Sequence, residues 1–233
     1  MAEVKHSTPV ASAPKEIDRA QEFWSKYSKQ LTYGWLAIIV VVAGYLAYNS
    51  LIKAPNENKA EEAIFRAEGY YRIDSLDKAL NGDGITPGFL KVISRYGGTE
   101  AANRAHFMAG TIYLKKNDYK NAIKHLEEFE TGVEQLRARK NALLGDAYSE
   151  LGSGTNNNTD KEKAAELYKK AATAFPKDDV NASEYLFRAG YLYESMGKNK
   201  EAIEAYKEIK NKYPQSQRGF DIDKYLARLG EVK

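Results

Sequence analysis

The sequence predicts an all-α protein: a single N-terminal transmembrane helix, then an α-solenoid of about three and a half helix pairs, closed by a C-terminal capping helix. Three observations predict it. Residues 31–52 form a 22-residue run without a charge. Beyond residue 100 the sequence resembles itself with a period near 34 residues. Hydrophobic residues at 43 % and charged residues at 29 % lie close to globular averages, so the long apolar run is a local element and not a bias of the whole chain.

Residues 1–15 are rich in Pro, Ala and Ser and are expected to be disordered. Residues 16–30 place Ile17, Ala20, Phe23, Trp24 and Tyr27 at helical spacing. They predict a short amphipathic helix lying along the interface before the chain turns into the span. The run at 31–52 reads LTYGWLAIIVVVAGYLAYNSLI. As a helix it reaches about 33 Å, enough for a hydrocarbon core of about 30 Å. Tyr33 and Trp35 near one end, with Tyr45 and Tyr48 near the other, stand where interfacial aromatics belong. Thirty residues precede the run, and it exceeds the hydrophobic region of a cleaved leader, so a retained signal anchor is expected. Lys26 and Lys29 before the span against Lys53 after it lean toward a cytoplasmic N-terminus.

Residues 57–233 read as helix pairs. In the first, Ala63, Ala67, Tyr70, Tyr71 and Leu76 share a helix face, NGDGITPG (81–88) is a loop, and FLKVISRY (89–96) closes the unit much as IKNKY (209–213) closes the last. The second, near 103–136, carries Ala109, Gly110, Tyr113, Ala122, Leu126 and Phe129. The third shows Gly145, Tyr148 and Gly152, then Ala164, Tyr168, Ala171 and Pro176. Its second half is displaced by 7 residues, and SGTNNNTDK (153–161) is expected to be an enlarged loop between its helices. The fourth, 183–216, is the most regular, with Leu186, Gly190, Tyr193, Gly197, Ala202, Tyr206 and Pro214. Gly190 and Ala202 are small so that two helices can approach. Tyr193 and Tyr206 fill the space between them, Gly197 turns the chain, and Pro214 ends the second helix. Residues 218–230, with Phe220, Tyr225, Leu226 and Leu229, suit a cap over the last apolar edge.

This period and spacing resemble the tetratricopeptide repeat (TPR). In that geometry the first helix of each unit lines a concave face, which places Arg104, Phe107, Thr111 and Leu114, then Arg139, Ala142, Asp146 and Ser149, then Glu184, Phe187, Tyr191 and Glu194 on it. Arg104, Phe107, Thr111, Arg139, Asp146, Phe187 and Tyr191 are the candidate protein-binding residues. Phe107 and Thr111 stand where the carboxylate-gripping type of TPR carries Lys and Asn, so that mode is not expected here.

Other chemistry finds little support. The net charge is +3 with both signs interspersed, so the basic stripe of a nucleic-acid binder is missing. There is no cysteine, which removes disulfides, zinc thiolates and Cys nucleophiles. His6, His106 and His125 form no metal-ligand motif and read as ordinary residues. Asp83 and its neighbours lack the first and last ligands of a calcium loop. No phosphate-cradling or nucleophile-elbow motif occurs. No catalytic residue, cofactor, metal or small-molecule substrate is expected, and the chain reads as a binding protein and not as an enzyme.

A tail, one signal-anchor span and divergent TPRs together resemble the YfgM-like family of ancillary subunits of the bacterial SecYEG translocon. The stretch GGTEAANRAHFMAGTIYLKKNDYKNAIKHLEEF (97–129) is similar to such proteins from the Bacteroidetes group. The resemblance implies a single-pass inner-membrane protein with a cytoplasmic N-terminus and a periplasmic TPR domain. Its implied partners are translocon subunits, a PpiD-type periplasmic chaperone and newly exported chains. A structural subunit of another envelope complex, or a cytosol-facing TPR receptor, are the alternatives.

Overall fold

The computed structural model describes the backbone of residues 15–231 and the side chains of residues 21–231. The tail expected at 1–15, with His6, lies outside the described residues except for Lys15. The chain divides into two compact units, Met1–Pro55 and Asn56–Lys233.

The first unit holds α1 (Lys15–Tyr48) and a π-helical turn (Asn49–Lys53). No break separates 16–30 from the apolar run, so the turn expected between them is absent. The reason is local: no Pro or Gly interrupts 21–33, and the Ser25 and Thr32 hydroxyls donate back to the carbonyls of Glu22 and Ser28 instead of capping a new helix. Phe23 and Tyr27, four apart, pair at 4.9 Å between ring centres. The π-helical turn comes just before Pro55, whose ring would strike the Leu51 carbonyl in a straight α-helix. A wider turn there relieves that clash. Among the described residues one helix is long and apolar enough to cross a membrane, with a mean hydropathy of 1.9 over its most apolar stretch. None of that stretch is buried within the protein.

The second unit is a run of paired helices: α2 (Ala54–Arg72) with α3 (Leu76–Asn81) and α4 (Phe89–Arg95), α5 (Glu100–Lys115) with α6 (Tyr119–Glu128), α7 (Glu134–Gly154) with α8 (Asn158–Ala174), α9 (Asp179–Ser195) with α10 (Asn199–Lys212), and α11 (Gln217–Arg228) as the cap. The first and second helices of a unit meet at a small residue. A Cβ on Gly110 would stand 2.6 Å from Leu126 Cγ, and one on Gly145 would stand 2.8 Å from Tyr168 Cε1. A Cβ on Gly190 would strike the Tyr206 ring closer still.

Every unit bends the same way between its helices. Asp74, Asn117, Asn156 and Gly197 take φ of 56°, 60°, 52° and 74°. The next residue's N–H then reaches back five residues, from Ser75, Asp118, Asn157 and Lys198 to the carbonyls of Tyr70, Tyr113, Gly152 and Tyr193, at 2.8–2.9 Å. This is the Schellman ending, and it needs a residue that tolerates the left-handed region. It identifies the first unit as a true member whose second helix is broken by residues 82–88. In that break Asp83 accepts bonds from the N–H of Ile85 and Thr86 and from the Tyr70 hydroxyl. These bonds hold its carboxyl well below the usual carboxylate range. Asp83 therefore organises its own loop.

The enlarged loop expected at 153–161 is not there, because α7 runs to Gly154 and α8 starts at Asn158. Gly145 precedes its left-handed residue by eleven positions, where Gly110 and Gly190 precede theirs by seven. The following Ala164 lies eight positions on, where Ala122 and Ala202 lie five on. The seven extra residues are one added turn in each helix. About 3.6 residues make a turn, so this split keeps both buried stripes in phase. Asn157 caps the new start by accepting from the Thr159 N–H.

Between units the chain turns on an aromatic residue and a cap three residues on: Tyr96 and Thr99, Phe175 and Asp178, Tyr213 and Ser216. The buried Thr99 and Ser216 hydroxyls each donate to the aromatic residue's carbonyl and accept from the third N–H of the helix they start. The junction after Phe129 departs from this rule. It is one residue longer, and Val133 at the start of α7 offers no side-chain cap.

Adding a methyl at the close approach tests this account. Gly190→Ala is expected to lose about 1–3 kcal/mol by overpacking against Tyr206, and Gly197→Ala about 1 kcal/mol from backbone strain. Urea unfolding followed by circular dichroism reads both, and an unchanged Gly190→Ala midpoint would refute the close-approach constraint.

Candidate functional site

The predicted face is built from the first helices of successive units, and most of its polar residues hold those helices to one another. Arg104 on α5 forms a two-pronged pair with Glu61 on α2 at 2.7–2.8 Å and reaches Glu68 at 3.5 Å. Hydrogen bonding to Glu61 keeps the Arg104 guanidinium charged and lowers the Glu61 carboxyl. Thr111 lies 3.3 Å from the Tyr71 hydroxyl. Asp146 on α7 accepts from Tyr168 at 2.7 Å and from Arg188 on α9 at 2.8 Å. Burial and the Asp146 charge raise the Tyr168 phenol, which therefore stays a neutral donor. Glu184 joins Arg188 to Arg218 on α11, and Glu194 holds Arg228.

The aromatic members are also engaged. Phe107 packs on Phe129 at 4.9 Å, and Phe187 meets Tyr225 edge-on at 4.8 Å with the Arg218 guanidinium 3.8 Å over its face. Of the seven candidates, Arg139 and Tyr191 are exposed, Tyr191 by 57 %, with no side-chain hydrogen bond or ion pair among the described residues. The structure therefore distinguishes residues that join units from residues open to a partner. Sequence spacing treats them alike.

The inter-helix links skip one step. Among the described residues no ion pair or side-chain hydrogen bond joins α5 to α7. A cleft of about 1180 Å³ opens there instead, at the long junction after Phe129. Phe129, Val133 and Leu136 give it an apolar wall, and Asn103, Arg104 and Asn141 line it as well. Asn103 clamps the junction through both of its amide atoms, donating to the Glu130 carbonyl and accepting from its N–H. Lys140 donates to the carbonyls of Glu127 and Phe129 at the end of α6. Val133 is 51 % and Leu136 41 % exposed, so this apolar wall is open to solvent.

His106 and His125, read separately from the sequence, come together. Their Nδ1 atoms are 3.2 Å apart, and Tyr113 stacks on His125 at 5.4 Å. One ring donates and the other accepts, so the neutral pair satisfies itself. Burial, and next the neighbouring His106, push His125 down to about 4. Burial also lowers His106. The spacing of 19 residues is the one signal that sets the two on facing helices. Among the described residues no group of three or more His, Cys, Asp or Glu is placed to hold a metal ion.

Two stretches match the tetratricopeptide repeat family, residues 104–129 and 184–216. They coincide with the α5–α6 and α9–α10 units. No curated protein matches the chain. The chain thus carries tetratricopeptide repeats, a fold of protein-binding scaffolds, together with, among the described residues, one helix of membrane-spanning length.

The histidine pair sets a pH dependence. The unfolded chain protonates His125 near pH 6.5 and the folded chain only near 4. Stability is full above about pH 6.5, falls as the pH drops toward 4, and levels off below, by on the order of 2 kcal/mol. Urea midpoints at pH 7 and pH 5 measure it, with His125→Gln expected to flatten the difference. An equal fall in the variant would remove the assignment.

Proposed function

We propose that this chain is a membrane-anchored scaffold that holds a TPR domain at a membrane surface to bind other proteins, and that it serves as an ancillary translocon subunit. The observation that carries the scaffold reading is the joining, in one chain, of tetratricopeptide units to an apolar helix of membrane-spanning length. The translocon role rests on the resemblance to YfgM-like proteins. In this reading the N-terminus is cytoplasmic, the TPR domain is periplasmic, and the span lies in the inner membrane. The partners are translocon subunits, a PpiD-type periplasmic chaperone and exported chains.

We place the working surface on the open part of the first-helix face, at Arg139, Tyr191 and the α5–α7 cleft. An extended segment there would lay apolar side chains on Val133 and Leu136. Residues committed to the ion pairs between units are scaffold first.

Affinity capture of the intact protein from its native membrane in mild detergent tests the reading. Recovery of translocon subunits with a prolyl-isomerase-type chaperone is expected. Recovery of a different stoichiometric complex without them would leave the structural-subunit alternative in its place. Variants locate the surface. Tyr191→Ala and Arg139→Ala are expected to weaken partner capture about tenfold, a typical loss for an interface anchor, with an unchanged melting temperature. Phe187→Ala is expected to lose about 2 kcal/mol of stability through packing.

A further inference from the structure

A smaller opening of about 470 Å³ adjoins that cleft on the α7–α8 unit, sharing Arg137 and Asn141 with it and adding Lys169, Lys170, Thr173 and Ala174. The antiparallel pairing of α7 and α8 creates it. Arg137 belongs to the first turn of α7, and Lys169, Lys170 and Thr173 to the last turns of α8. Three cations thus converge with no carboxylate among the lining residues. Among the described residues none of the three is ion-paired, whereas Arg104, Arg188, Arg218 and Arg228 all are. Three cations on one opening without a lining carboxylate favour an anion from outside.

We propose that this cleft docks on the anionic phospholipid headgroups of the membrane that the chain's own apolar helix enters, an inference that rests on the anchoring reading above. The donor set suits a phosphate. The Arg137 fork takes two oxygens, the lysines supply point charges, and the Asn141 amide adds a neutral donor, while the Thr173 hydroxyl is spent on the Lys169 carbonyl. Ala174 is the one apolar residue of its own lining, and the apolar wall of Val133 and Leu136 belongs to the adjoining cleft, so this opening suits a headgroup better than an apolar side chain. A tether also favours lipid, because a domain held to a bilayer meets its headgroups as an intramolecular event at high effective concentration.

The absence of cysteine makes the test direct. Lys177→Cys, exposed between α8 and α9, gives a single thiol for a fluorophore. The labelled full chain is reconstituted into nanodiscs of phosphatidylcholine alone, or of phosphatidylcholine mixed with phosphatidylglycerol. Both carry a headgroup-attached quencher. Stronger quenching is expected with phosphatidylglycerol and is lost in high salt. Lys169→Gln with Lys170→Gln is expected to lower the ratio of docked to free domain about thirtyfold, at roughly 1 kcal/mol for each cation near an anionic surface, with unchanged circular dichroism. Equal quenching in the two lipids, or in the double variant, overturns the inference. So does a response to soluble polyglutamate by an inserted chain that ignores lipid charge, which would assign the cleft to an acidic protein. A chain that fails to enter the nanodiscs at all has a different signature: it overturns the anchoring reading, and this inference falls with it.

Discussion

The TPR domain depends on how closely two helices within a unit can approach. Gly110, Gly145 and Gly190 leave no room for a methyl against Leu126, Tyr168 and Tyr206. That contact fixes the depth at which each second helix sits, and so which side chains reach the next unit. Two of the three large partners are tyrosines, whose hydroxyls end on Asp146 and Glu194. Those carboxylates also hold Arg188 and Arg228. A steric contact inside one unit thereby positions the charges that join it to its neighbour, and packing and electrostatics share the same residues.

Much of this was legible in the sequence. The small and aromatic positions at a 34-residue period carry the helix pairs, because close approach restricts residue type strongly enough to leave a pattern. The similarity between 89–96 and 209–213 was legible for the same reason, since both end on a tyrosine whose carbonyl receives a capping hydroxyl. The uncharged run likewise carried its own length. Other features left weaker traces. The displacement in the third unit was visible, but its form was not. Polar residues such as 153–161 read as a loop, and only the helix phase shows that they form two solvated turns. The break expected before the span failed because amphipathic character changes there without any residue that stops a helix.

The candidate surface was less legible still. Repeat geometry names the residues on the first-helix face without saying which are already bound. Arg104 to Glu61 spans 43 residues and Asp146 to Arg188 spans 42, separations at which no local spacing reports a pair. The histidine pair was hidden in the same way, since two single histidines carry no motif. The cleft after Phe129 did leave a trace, the loss of the aromatic-to-cap spacing kept by Tyr96, Phe175 and Tyr213. One extra residue and one missing cap mark where the links between first helices lapse, while Tyr148 and Lys163 still tie the α7–α8 unit to Glu127 on α6.

The third unit has a consequence for how such a domain changes size. A single residue added to one helix would rotate everything beyond it by about 100° and turn its buried stripe toward water. Four residues on the way out and three on the way back leave both stripes where they were. Growth in this architecture is therefore quantised, in matched turns placed on either side of a bend, as a zip lengthens by pairs of teeth. The α7–α8 hairpin has taken one such step, and its added tip, with its own cap at Asn157, is a place where length can vary between otherwise similar domains without cost to the core.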